Sequence, residues 1–131
     1  MEPEVLHFKD TERMCQAAAN RVVVTARACV QQRGQFSFVL SGGATPKGLY
    51  ELLATPSFRD FIRWDRTHLF WGDERKVAPD HADSNFGMAN TSLVTQVPVP
   101  SGNIHRMPGD ARTPASAADS YEQDLRIFFG E

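Results

Sequence analysis

The sequence predicts an α/β fold, an open and mainly parallel sheet of Rossmann-like type flanked by helices. Three observations carry that expectation. Phe36–Leu40 and Thr67–Trp71 are short runs dominated by aromatic, branched and aliphatic residues, as buried strands are. Helical periodicity occupies the chain before the first run and again between the two. Strand, crossover helix and strand in about 36 residues form a βαβ unit, which makes the two strands parallel.

The elements run in order along the chain. Val5–Phe8 is expected to be a short first strand, followed by Asp10 or Thr11 as a helix cap with Glu12 in the first turn. Cys15, Ala18, Ala19, Val22, Ala26, Cys29 and Val30 then recur at steps of three and four. They form one apolar stripe on a helix of about twenty residues, closed by Gly34. After the first predicted strand, a helix is expected to begin with Thr45 as N-cap and Pro46 in the first helical position, where no donor is needed. Leu49, Leu52 and Leu53 line one side of it. Thr55-Pro56 opens a shorter turn through Phe58, Phe61 and Ile62.

Beyond Trp71 comes a polar loop, 72–84, and then a helix near Asn85–Leu93 capped by Asp83, Ser84 or Asn85. Four of the eight prolines lie between Pro98 and Pro114, marking a connecting loop with a short strand near Ile104. Thr113-Pro114 starts a last helix with Ala118, Tyr121, Leu125 and Phe128 on one face. No internal repeat or domain boundary is evident.

Composition narrows the function. With 41% hydrophobic and 23% charged residues, the 131-residue chain is globular rather than disordered. A net charge of −2 argues against a nucleic-acid partner. No apolar run approaches the roughly 18–20 residues that span a bilayer, so no membrane role is expected. The acidic start Met1-Glu2-Pro3-Glu4 is unlike a signal peptide, and a cytoplasmic location is the expectation. Cys15 and Cys29 sit fourteen positions apart on one helix. That separates them by roughly 21 Å, against a limit of about 7 Å for a disulfide, so both are read as small buried residues.

Two loops carry the chemistry. Ser41-Gly42-Gly43-Ala44-Thr45-Pro46 follows a strand and opens a helix. Its glycines let the backbone turn sharply, and a helix N-terminus is an anion site, with phosphate the natural ligand. The loop fits neither GxxxxGK[ST] nor GxGxxG, which excludes the usual nucleotide sites. Gly72-Asp73-Glu74-Arg75-Lys76 leaves the second strand. Both loops depart from carboxyl ends and share one rim of the sheet, where such folds bind ligands. Asp73 suits hydrogen bonds from sugar hydroxyls, and Arg75 suits phosphate or a developing oxyanion. His68 reads as a packed or edge histidine, His7 and His105 as incidental, and no metal-ligand spacing is present.

These motifs resemble a known family. Leu40-Ser41-Gly42-Gly43-Ala44-Thr45-Pro46 with Leu49-Tyr50 resembles the sugar-phosphate loop of the 6-phosphogluconolactonases. So do Trp64-Asp65, Phe70-Trp71-Gly72-Asp73-Glu74-Arg75 and Asp83-Ser84-Asn85-Phe86-Gly87-Met88. The superfamily also holds glucosamine-6-phosphate deaminases, and the Asp-Glu-Arg triplet with the later His81 and Ser84-Asn85 is similar to the lactonase branch. Ala44 stands where many relatives have serine.

The resemblance implies cofactor-free hydrolysis of 6-phospho-D-glucono-1,5-lactone to 6-phosphogluconate in the oxidative pentose phosphate pathway. Ser41, Gly42, Gly43 and Thr45 would bind the phosphate, and Asp73 and Arg75 would be catalytic. The family's base is a histidine in an Asp-Gly-His segment, which does not occur here. Residues 1–131 are therefore expected to be a single N-terminal portion of a lactonase-like domain, a truncated sheet that invites self-association. Two alternatives are a non-catalytic sugar-phosphate-binding fragment and a deaminase or isomerase acting on an amino-sugar phosphate.

Overall fold

The computed structural model describes residues 1–130. Its first element, α1 (Thr11–Arg33), starts where Asp10 accepts a hydrogen bond from the Arg13 N–H at 2.8 Å. It stops at Gly34, whose left-handed φ of 78° turns the chain while its N–H closes on the Val30 carbonyl. The expected stripe is the buried face, with Cys15, Ala19 and Ala26 innermost. Both cysteines are free thiols.

Strand β1 (Phe36–Leu40), helices α2 (Ala44–Leu53) and α3 (Pro56–Arg59), and strand β2 (Thr67–Trp71) complete the predicted βαβ unit. The strands pair in parallel from Phe36 opposite Thr67 to Leu40 opposite Trp71. Helix α4 (Asn85–Ser92), a two-residue strand β3 (Ile104–His105) and helix α5 (Pro114–Phe129) come next. β3 joins β2 in parallel, giving the order β1-β2-β3. Phe36, Leu40, Leu69 and Trp71 turn one sheet face into the main core, against α1, α2 and α4. His68, Phe70 and His105 lie on the opposite face beneath Phe128 of α5.

Three expectations need correction. Val5–Phe8 forms no strand: Val5, Leu6 and Phe8 are 69%, 54% and 40% exposed, and the segment pairs with no sheet edge. A short apolar run that pairs with no neighbouring strand stays irregular. Helix α2 begins at Ala44 with Gly43 as its cap, ahead of the expected Thr45. The glycine, at φ 106°, makes the turn itself, and Pro46 is still tolerated because the first four helical N–H groups have no intrahelical partner. On α5 the buried small residue is Ala117 rather than Ala118, while Tyr121 is buried as expected.

His105, read as incidental, is the best-connected histidine in the fold. Its Nδ1 lies 2.9 Å from the Asp124 carboxylate and its Nε2 lies 3.1 Å from Nδ1 of His68. Its ring stacks on Phe70 with centroids 4.3 Å apart. With Nδ1 of His105 on the Asp124 carboxylate, its Nε2 is the ring atom that meets Nδ1 of His68, so the three side chains form one continuous chain. It ties α5 to the sheet.

Burial, and then the neighbouring His105, hold His68 below the ordinary histidine value. The unfolded chain then takes up a proton that the folded one refuses, so stability falls as pH drops below about 6.5. Thermal melts between pH 7.5 and 5.5 should show a falling midpoint. In His68→Asn, which retains a donor for His105, that slope should shrink. A flat wild-type profile would contradict the relay.

Candidate functional site

The first rim loop leaves β1 at Ser41. The Tyr50 hydroxyl accepts from the Ser41 N–H at 2.7 Å and donates to the Ser41 carbonyl at 2.9 Å. A Cβ on Gly42 would collide with the side-chain oxygen of Asn85, so the loop passes there only without a side chain. Gly43 then turns the chain into α2, which starts with no side-chain cap and no acidic residue in its first turn. The N–H groups of Ala44 and Thr45 head the helix, and Ser41, Gly43 and Thr45 are exposed. This end of the helix suits an anion.

The second loop leaves β2 at Gly72, whose N–H bonds to the Leu40 carbonyl at 3.1 Å. Asp73 and Arg75 are exposed, while Glu74 between them turns inward. One Glu74 oxygen accepts from the N–H groups of Arg75 and Asn85, both at 2.7 Å. The other accepts from the Ser84 hydroxyl at 2.9 Å and the Phe86 N–H at 3.0 Å. Burial pushes the carboxyl up, but the bonds from Phe86, Arg75, Asn85 and Ser84 together outweigh it and hold Glu74 below the usual carboxylate value. Ser84 is the N-cap of α4, accepting from the Gly87 N–H at 3.0 Å.

Asn85 joins the two loops. Its buried side chain abuts Gly42 and donates to the Asp73 carbonyl at 3.2 Å. The Arg75 guanidinium reaches the Asp83 carbonyl at 3.3 Å, which closes the second loop on itself. From below, Gly109 of the long connection leaves room for the Arg75 and Val77 carbonyls, where any side chain would clash. His81 lies exposed in the same loop, its Nδ1 accepting from the Asp83 N–H at 3.0 Å.

The structure thus brings Gly42 and Asp73 to one rim, with Arg75 in the same closed loop and Ser41, Gly43 and Thr45 beside them. Glu74 and Asn85, which organise the rim, had no assigned site role in the sequence. Glu74 acts across ten to twelve positions, outside any helical or strand period. The one local signal was the Ser84-Asn85 cap, whose first turn needs an acceptor beyond Ser84. Among the described residues, no three His, Cys, Asp or Glu side chains gather as a metal site.

A parallel βαβ unit with a glycine turn on one strand and an acid–base triplet on the next defines an α/β protein with two polar loops on the carboxyl rim of its sheet. Comparison with known proteins makes this specific. Residues 9–131 match the family model described as glucosamine-6-phosphate isomerases/6-phosphogluconolactonase, and the chain belongs to that family. It is 40% identical over 129 residues to a 6-phosphogluconolactonase of Nostoc sp., covering 98% of this chain and 52% of that protein. A 6-phosphogluconolactonase of Synechocystis sp. is 41% identical with the same coverage. Among solved structures, the 6-phosphogluconolactonase from Trypanosoma cruzi superposes with a TM-score of 0.84 at 27% identity, over 98% of this chain and 52% of that one. A monomeric glucosamine-6-phosphate deaminase reaches a TM-score of 0.82 at 19% identity, a likeness of fold alone. The chain spans about half the length of these relatives.

Removing the Glu74 carboxylate strands two backbone donors and a hydroxyl at the start of α4. Glu74→Ala should therefore destabilise the fold by about 1–3 kcal/mol, and Glu74→Gln by less. Urea unfolding measures both, and equal stability of all three proteins would remove Glu74 from this role.

Proposed function

We propose that the chain supplies the phosphate loop and the Asp-Glu-Arg loop for hydrolysis of 6-phospho-D-glucono-1,5-lactone to 6-phosphogluconate, a step of the oxidative pentose phosphate pathway. The observation that carries this reading is the joining of both loops at one rim through Asn85. The names of the matched relatives support it. In this reading residues 1–131 are a single portion of a lactonase-like domain, acting without a cofactor.

The proposed chemistry assigns each loop a part. Backbone N–H groups of Gly42, Gly43 and Thr45, with the Ser41 hydroxyl, hold the phosphate at the head of α2. Arg75, in the second rim loop with its guanidinium on the Asp83 carbonyl, is suited to the phosphate or to the oxyanion formed when water adds to the lactone carbonyl. Asp73 orients the substrate or the base. Collapse of the tetrahedral intermediate breaks the ring C–O bond and leaves a carboxylate and a hydroxyl. The general base is the part this chain lacks, since no histidine of the sequence lies in an Asp-Gly-His segment.

That lack favours a second reading, a sugar-phosphate-binding unit without turnover of its own. An amino-sugar phosphate deaminase is disfavoured, because the Nostoc and Synechocystis relatives are named lactonases. A cytoplasmic setting is part of the proposal. Some plant relatives are named as chloroplastic, so cell fractionation decides it. Self-association is included too: Val39 is 56% exposed on β1, and no described strand pairs with the outer edge of β1.

Two measurements test the reading. Inorganic phosphate and 6-phosphogluconate should bind with perturbation of the Gly42–Thr45 amides, and Gly43→Val should abolish this, because its φ of 106° excludes a branched residue. Unchanged affinity in that variant would refute the loop assignment. A dehydrogenase-coupled assay of the 131-residue chain should show little or no lactone hydrolysis. Near-normal turnover would overturn the assignment of the base to residues outside this chain.

A further inference from the structure

We propose that Tyr50 and Tyr121 are paired positioning residues, each hydroxyl standing in for a neighbouring strand at a strand's carboxyl end and fixing where the adjoining rim loop begins. The backbone alternation of a parallel ladder sets up the need. The Leu40 carbonyl bonds to the Gly72 N–H, so the next residue, Ser41, turns its own N–H and C=O away from β2. No described strand lies on that side. The Tyr50 hydroxyl fills the place, 2.7 Å from the Ser41 nitrogen and 2.9 Å from its oxygen.

The same device recurs one strand over. Trp71 turns its N–H and C=O toward the β3 side, but β3 pairs only with Leu69 and Phe70 and stops at His105. The Tyr121 hydroxyl, fifty positions along on α5, accepts from the Trp71 N–H at 3.0 Å and donates to the Trp71 carbonyl at 2.8 Å. Both tyrosines are buried, 2% and 8% exposed. A phenol is one atom that both donates and accepts, so it satisfies both backbone groups of one residue. Burial pushes both phenols up, which keeps them protonated as donors at neutral pH.

Each clasp takes its function from the loop that it precedes. Ser41 leads into Gly42-Gly43, and Trp71 into Gly72-Asp73-Glu74-Arg75. Glycines have little conformational preference of their own, so the level at which each loop starts is imposed from outside. Tyr50 positions the α2 head, and Tyr121 positions the Asp73–Arg75 loop. The second clasp is secured in turn by Asp124, three positions along α5, through its bond to His105.

The ligand arm of the test rests on the phosphate reading, and the exchange arm does not. Tyr50→Phe and Tyr121→Phe keep the rings and delete only the hydroxyls. Amide hydrogen exchange read by NMR should speed up about tenfold at Ser41 in the first variant and at Trp71 in the second, relative to the core amide of Leu69. Titration with inorganic phosphate should show weakening of about fivefold or more at Gly42–Thr45 in Tyr50→Phe. Ile62→Ala, a core change near the amino end of β2, should lower stability and leave that affinity as it is. Unchanged exchange at Ser41 and Trp71, or acceleration spread evenly over all amides, would overturn the clasps. Equal loss of phosphate affinity in Ile62→Ala would reduce Tyr50 to a structural residue. A wild-type chain that shows no phosphate response refutes the phosphate reading, and the exchange data then decide the clasps alone.

Discussion

The parallel pairing of β1 with β2 is the constraint on which the rest of the structure depends. Parallel strands cannot be joined by a tight turn, so the chain must cross over through α2 and α3 before returning. Once it has, Leu40 stands opposite Trp71 and both strands end at one level. The hydrogen bond from Gly72 to Leu40 extends that pairing into the loops. A one-residue slip would exchange the buried Leu69 and Trp71 for His68 and Phe70 on the core face, so burial itself holds the register.

At that rim two helix N-termini have opposite fates. The first turn of α4 is satisfied from within, by the Ser84 hydroxyl and the Glu74 carboxylate. The first turn of α2 has neither, because glycine occupies its cap position. The same electrostatics therefore serves structure at one helix and is available to a ligand at the other. Asn85 couples the two, since its side chain needs the bare backbone of Gly42 and holds the carbonyl of Asp73. Loss of the internal anion at α4 would loosen the loop that carries Arg75, and through Asn85 the glycine turn as well.

Features set by near neighbours were legible in the sequence. The α1 stripe, the Asp10 and Gly34 caps, the Ser84 and Thr113 starts and the two strands all depend on residues within a turn or a strand length. So did the glycine loop and the Asp73–Arg75 triplet, because each is one contiguous segment. What escaped depended on distant partners. Val5–Phe8 has the apolar residues of a strand but pairs with none of the described strands. His105 acquires its role from His68 and Asp124, 37 and 19 positions away, which no periodicity connects. Thr45 lost the cap position because Gly43 adopts a φ open to glycine, a freedom that cap preferences do not register.

The placement of the rim also explains why binding and turnover separate in the proposed function. In the proposed function the backbone donors to the phosphate come from the turn between β1 and α2, which Tyr50 and Asn85 hold in place, while Arg75 comes from the loop after β2. In that reading the phosphate donors are local to this turn, whereas the histidines have other partners: His68 and His105 bond to each other and to Asp124 on the face under α5, and Nδ1 of His81 accepts from the Asp83 N–H. β1, from which the glycine turn leaves, has a described neighbour on one side only. A ligand crevice in an open α/β sheet is walled by two adjacent loops, and here both of them leave the pair β1 and β2. In the proposed function a proton acceptor for the attacking water would then approach from beyond these two walls, and changes in the glycine loop would act on affinity before they act on rate.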